Sequence, residues 1–120
     1  MKFSGIVKKH LGRGTILGFP TANIEPPKEL ADGLYVGWTD GQPSLIFIGV
    51  NETFGEIERW AEVYLLNFTG DLYGQEIQVE TLKKLREVIK FDSAEELVGQ
   101  MKKDEEAARE FFSGFPLSRE

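Results

Sequence analysis

The 120-residue sequence predicts a small, mainly β domain: a closed barrel of five or six short strands with one α-helix packed outside. Three observations predict it. Apolar and polar residues alternate over short stretches between residues 3 and 85, which is the period of a strand. Thirteen glycines and several Asp-Gly or Pro-containing turns punctuate those stretches. Beyond residue 92 the period lengthens to that of a helix and stays so until Gly114 and Pro116.

Phe3 to Lys9 forms the first strand, with Phe3, Gly5 and Val7 on one side and Ser4, Ile6 and Lys8 on the other. A glycine loop, residues 12–20, follows and runs into a Pro20-Thr21-Ala22-Asn23 turn. Glu25-Pro26-Pro27-Lys28 interrupts regular structure, because proline lacks the N–H that a ladder needs. Leu34–Thr39 and Ser44–Val50 are two strands joined at Asp40-Gly41, a strong hairpin turn. Asn51 to Gly55 is a loop. Arg59 to Phe68 is the next strand, placing Trp60, Glu62, Tyr64 and Leu66 on one face and Ala61, Val63, Leu65 and Asn67 on the other. Residues 69–74 turn the chain, and Gln75 to Leu85 is a long strand alternating through Ile77, Val79 and Thr81. Ser93 with Glu96 three residues later is a capping box, and the helix runs from Ala94 to Phe112 with Leu97, Met101, Glu105 and Ala108 on one face. No linker, repeat or low-complexity segment divides residues 1–120, so they form a single domain.

Composition excludes several classes of function. A net charge of −6 disfavours nucleic acid as a partner, which needs a basic face. No apolar run approaches the ~20 residues of a membrane span, and the first residues lack a signal-peptide core. With no cysteine there are no disulfides, and a reducing cytoplasm is the expected compartment. One histidine, His10, is too few for a zinc cluster, and neither a P-loop string nor a Gly-x-Ser-x-Gly elbow occurs.

What remains is a loop suited to an anion. Gly12, Gly14 and Gly18 fall within seven residues. Such a loop aims backbone N–H groups at a phosphate. Thr21 and Asn23 follow with neutral oxygens, hard donors of the kind Mg²⁺ takes beside a phosphate. Glu62 is an acid in the otherwise apolar strand Trp60-Ala61-Glu62-Val63-Tyr64-Leu65-Leu66. It stands either at a rim facing water or poised by partial desolvation. Read singly, Arg86 is a strand-end charge, Phe91 a core or staple residue beneath the helix, and Tyr73 a packing aromatic in a turn.

Taken together, these stretches resemble one family. Gly12-Arg13-Gly14-Thr15-Ile16-Leu17-Gly18-Phe19-Pro20-Thr21-Ala22-Asn23 is similar to the Gly-Arg-Gly-x-x-Leu-Gly-Phe-Pro-Thr-Ala-Asn loop of riboflavin kinases (flavokinases). Residues 33–38 match that family's Gly-x-Tyr-x-Gly-Trp strand, and residues 48–55 its Ile-Gly-x-Asn-Pro-Thr-Phe-Gly segment, with Glu52 in place of proline. Residues 61–68 match its Val-Glu-x-His-Leu-Leu-Asp-Phe strand, with Tyr64 for histidine and Asn67 for aspartate, and Gly70-Asp71-Leu72-Tyr73-Gly74 follows as in the family. His10 and Leu11 replace the usual Gly-Asp pair, and Ile89 stands where a polar residue is common.

The resemblance implies a six-stranded antiparallel Greek-key β-barrel with a C-terminal helix outside. It implies ATP:riboflavin phosphotransfer giving FMN and ADP, with Glu62 as catalytic base. Gly12, Arg13, Gly14, Thr15 and Tyr73 would bind the nucleotide. Thr21 and Asn23 would bind the metal, Mg²⁺ with Zn²⁺ or Mn²⁺ as alternatives. Arg86 and Phe91 would bind the flavin. It further implies a monomeric, cytoplasmic kinase module without an adenylyltransferase domain, so that synthesis stops at FMN. A barrel that binds flavin or nucleotide without turnover is the competing reading. Thr21, Asn23 and Glu62 argue against it, since a mere flavin binder needs none of the three.

Overall fold

A computed structural model describes residues 1–8, 21–50, 57–67 and 72–114. These form six strands and one helix: β1 (Lys2–Ile6), β2 (Ala22–Ile24), β3 (Gly33–Thr39), β4 (Gln42–Val50), β5 (Arg59–Leu65), β6 (Glu76–Arg86) and α1 (Ala94–Phe112). All pairs are antiparallel, in the order β1-β6-β3-β4-β5-β2. Strands β3, β4 and β5 form a meander, and β6 returns beside β3, which is a Greek key. The barrel nearly closes between β1 and β2. There a bridge pairs Lys8 with Asn23, and the Lys8 amide donates to the Asn23 carbonyl at 2.8 Å.

The hairpin between β3 and β4 has the expected chemistry. Asp40 and Gly41 both have positive φ, 50° and 79°, and Thr39 faces Gln42 across a two-residue loop. Residues 22–24 correct the sequence expectation of a turn. They are strand β2, paired to Val63, Glu62 and Ala61, with Ile24 fully buried. Three residues are too few to display a period of two. Strand β5 ends at Leu65 rather than reaching Phe68, because its partner β4 begins its pairing at Ser44.

Two cores lie on opposite faces of the same strands. Ile24, Tyr35, Ile46, Ile48, Ala61, Val63, Ile77 and Val79 fill the barrel interior. Leu34, Val36, Trp38, Leu45, Phe47 and Leu66 face outward and pack with Ala108 and Phe112 of α1. This explains why β3 and most of β4 are buried on both faces, and why Leu45-Ile46-Phe47-Ile48 is a continuous apolar run. Gly37 permits a bulge of β3 against β6: a Cβ there would lie 2.1 Å from the Glu80 carbonyl oxygen.

The helix starts and ends as its sequence dictates. Ser93 caps it, its hydroxyl accepting from the Glu96 amide at 3.2 Å. At the far end, Arg109 donates to the Leu66 carbonyl at 2.7 Å and to Asn67 Oδ1 at 3.1 Å, tying the last turn to the end of β5. The Trp38 and Phe112 rings meet at 5.0 Å. The buried face of α1 is Leu97, Asp104, Ala108 and Phe112, so the acid turned toward the sheet is Asp104, while Glu105 is half-buried beside Tyr64.

Candidate active site

The outward face of the sheet, part of which packs against α1, gathers several of the residues singled out from the sequence. Antiparallel register places directly opposed residues on the same side of a sheet. Asn23 opposes Glu62, Glu62 opposes Phe47, Phe47 opposes Leu34, and Leu34 opposes Arg86. Five strands therefore contribute one residue each to a single row, β2-β5-β4-β3-β6. Three of the residues singled out from the sequence lie on it: Asn23 and Glu62 at one end and Arg86 at the other.

At the first end, Glu62 is 2% exposed, flanked by Asn23, also 2% exposed, and by Phe47. The Thr21 hydroxyl approaches Glu62 Oε1 at 3.5 Å. Asn23 Nδ2 donates to the Thr21 carbonyl at 3.4 Å, which turns its Oδ1 the opposite way. A hydroxyl, an amide oxygen and a carboxylate are thus gathered at the end of β2. All are hard oxygen donors and fit Mg²⁺, which takes a few protein oxygens and completes its shell with water and phosphate. Among the described residues, no group of three or more His, Cys, Asp or Glu could hold a metal ion.

At the other end, Arg86 closes β6 and is clamped. Its Nε and Nη2 donate to Asp104 Oδ1 and Oδ2 at 2.9 and 2.7 Å, and its Nη1 donates to the Glu87 carbonyl at 3.0 Å. Between the ends, Val88 comes down beside Phe47 at Gly49, where a Cβ would lie 3.2 Å from both side chains. Phe91 is half-buried in the segment joining β6 to α1. Tyr73 lies in the turn before β6 with 59% of its surface exposed. Gly12, Arg13, Gly14 and Thr15 lie outside the described residues, as do His10, Glu52 and Glu56.

Tyr64 stands two residues beyond Glu62 and one strand from Leu45. Its hydroxyl donates to Glu105 Oε2 at 3.4 Å. Burial first, and the Glu105 charge second, raise its pKa above the ordinary value of 10.0, so it is a neutral phenol at physiological pH.

The Flavokinase family model, described as riboflavin kinase, matches residues 1–112. The chain belongs to the riboflavin kinase family. It is 39% identical over 106 residues to the bifunctional riboflavin kinase/FMN adenylyltransferase of Escherichia coli, covering 82% of this chain and 34% of that protein. It is 39% identical over 107 residues to the RNA-binding riboflavin kinase RibR of Bacillus subtilis, covering 84% of this chain and 46% of the relative. The chain thus spans less than half the length of either relative. The crystal structure of riboflavin kinase from Trypanosoma brucei superposes with a TM-score of 0.68 at 26% identity, over 97% of this chain and 82% of that one. The mainly β barrel expected from the strand pattern is the observed fold.

Sequence reasoning gave no role to Asp104, Gln100 or Phe47. Asp104 had one signal: with Gln100 and Ala108 it forms an i, i+4, i+8 series on α1, and Ala108 lies on the apolar face.

Proposed function

We propose that this protein transfers the γ-phosphoryl group of ATP to the ribityl 5′-hydroxyl of riboflavin, giving FMN and ADP. The observation that carries the reading is the row across five strands. It holds a buried carboxylate beside two oxygen donors at one end and a guanidinium at the other.

Glu62 accepts the proton of the 5′-hydroxyl as its oxygen attacks the γ-phosphorus. The Thr21 contact, at 3.5 Å, is long enough to be exchanged for the substrate hydroxyl. Thr21 and Asn23 would hold Mg²⁺, which would supply the charge neutralisation that phosphoryl transfer needs more than covalent help. Gly12, Arg13, Gly14, Thr15 and Tyr73 take the nucleotide. Arg86 and Phe91, where β6 leads toward α1, take the isoalloxazine ring. The flat ring suits an apolar wall with few polar contacts. Mg²⁺ is preferred over Zn²⁺ because no cysteine exists and the sole histidine is His10. The reaction proposed for these residues ends at FMN, and at net charge −6 neither nucleic acid nor a membrane surface is a proposed partner. No described helix is long and apolar enough to cross a membrane.

The test is Glu62→Gln, assayed by chromatographic detection of FMN. The substitution keeps the shape and removes the base, so kcat falls by about two orders of magnitude, while MgATP and riboflavin still bind. Near-native kcat would remove Glu62 from the mechanism. Flavin binding without FMN formation in the unmodified protein would leave a binding barrel instead of an enzyme.

A further inference from the structure

Asp104 is 6% exposed and occupies a position on α1 between Leu97 and Ala108 that an amphipathic helix ordinarily gives to an aliphatic side chain. Burying a carboxylate costs several kcal/mol unless it is paired, and even a well-paired buried ion pair seldom outperforms an apolar pair of similar volume. Stability alone therefore does not account for a charge here. Its geometry does suggest a use. Arg86 binds it through two parallel N–H groups, at 2.9 and 2.7 Å, and Gln100 Nε2 donates a third hydrogen bond at 2.9 Å to Oδ1. The Gln100 contact holds the carboxylate in one rotation, and the carboxylate in turn holds the plane of the guanidinium.

A guanidinium has five N–H groups. Two face Asp104, and a third, on Nη1, meets the Glu87 carbonyl. The contacts so described use one hydrogen of each Nη and leave the other, a pair of donors at fixed orientation suited to carbonyl oxygens. Arg86 is also the far member of the row that begins at Asn23 and Glu62.

We propose that Asp104 is a positioning residue for flavin binding: it acts through Arg86, fixing the guanidinium so that its remaining N–H groups meet the isoalloxazine carbonyls, and Gln100 steadies it. The inference rests on reading this face as the riboflavin site.

The experiment measures riboflavin affinity by quenching of flavin fluorescence, and both KM values, for the unmodified protein, Asp104→Asn, Arg86→Gln and the double variant. Asp104→Asn weakens riboflavin binding about tenfold, the size of one charge-assisted hydrogen bond. It leaves the KM for MgATP within about twofold, and it has no further effect once Arg86 is Gln. A folded Asp104→Asn protein with native riboflavin affinity overturns the proposal. So does a loss that is just as large in the Arg86→Gln background, because Asp104 would then act independently of Arg86. If Asp104→Asn does not fold, Gln100→Leu leaves the ion pair in place. It should weaken riboflavin binding about threefold with MgATP binding unchanged, and native riboflavin affinity there also overturns the proposal. Failure of the unmodified protein to bind riboflavin would instead defeat the kinase reading, and that outcome appears before any substitution is made.

Discussion

The interior of the barrel and its face beneath α1 share strands β3, β4 and β5, yet they are built from different chemistry. Inside, a neutral polar pair is buried: Thr39 and Ser44 share a 2.8 Å hydrogen bond, and the Ser44 hydroxyl donates to the Gly37 carbonyl at 3.0 Å. Around them stand Ile24, Ile46, Ile48, Val63, Ile77 and Val79. Outside, Trp38, Phe47 and Phe112 accompany the two buried carboxylates, Glu62 and Asp104. An antiparallel strand separates the two sets at no structural cost, because successive residues point to opposite faces. The interior can be optimised for packing while the neighbouring residues carry charge. The contact geometry of the two carboxylates differs as well. Asp104 is held by three N–H donors at 2.7–2.9 Å, whereas Thr21 approaches Glu62 at 3.5 Å. The three short contacts lock the Asp104 geometry.

If the two faces are separable, a cavity inside should cost stability and nothing else. Ile46→Ala, at a fully buried interior position, is expected to lower unfolding free energy by about 2–5 kcal/mol. Urea denaturation would show this as a lower midpoint with unchanged slope, with both KM values and kcat per folded molecule native. A change in riboflavin KM comparable to the stability loss would mean that the faces are coupled through the strands.

On the outer face, the comparison sharpens at Thr21. Thr21→Ala should weaken ATP binding about tenfold in magnesium, the scale of one lost charge-assisted contact, and little in EDTA. Calorimetry in both buffers distinguishes the cases, and equal loss in each would make Thr21 structural.

The smallest effect belongs to Tyr64. The fold favours its neutral phenol, so as pH rises past 10.0 the unfolded chain loses the proton first. Its contribution to stability is complete below that pH and is lost as pH climbs through the raised value. Tyr64→Phe should cost less than about 1 kcal/mol at pH 8 and should flatten the decline above pH 10. Denaturation curves at pH 8 and 10.5 measure both, and an unchanged alkaline decline would assign it to other groups.

The interior was readable from the sequence because alternation through Ile77 and Val79, and the Asp40-Gly41 turn, are local signals. Strand β2 was not, since its three residues owe their conformation to β5 and not to their own pattern. Glu62 was visible as an acid in an apolar strand. Asp104 was hidden among Glu95, Glu96, Glu105, Glu106 and Glu110: its one signal, the spacing from Gln100 and Ala108, is faint, and the packing of α1 on the sheet is what singles it out. The row itself depends on the register of β3 against β6, which shifts twice along its length and leaves no local trace.

That row has a metric consequence. From Glu62 to Arg86 there are three inter-strand steps, each about 4.8 Å, or roughly 14 Å along the sheet. Main-chain hydrogen bonds set this spacing, and side chains do not enter into it. The barrel therefore serves as a ruler whose gradations are strands. Substitutions can change what stands at either mark, as Tyr64 and Ile89 do nearby, but the backbone interval between residues 62 and 86 across the sheet changes only by whole strands.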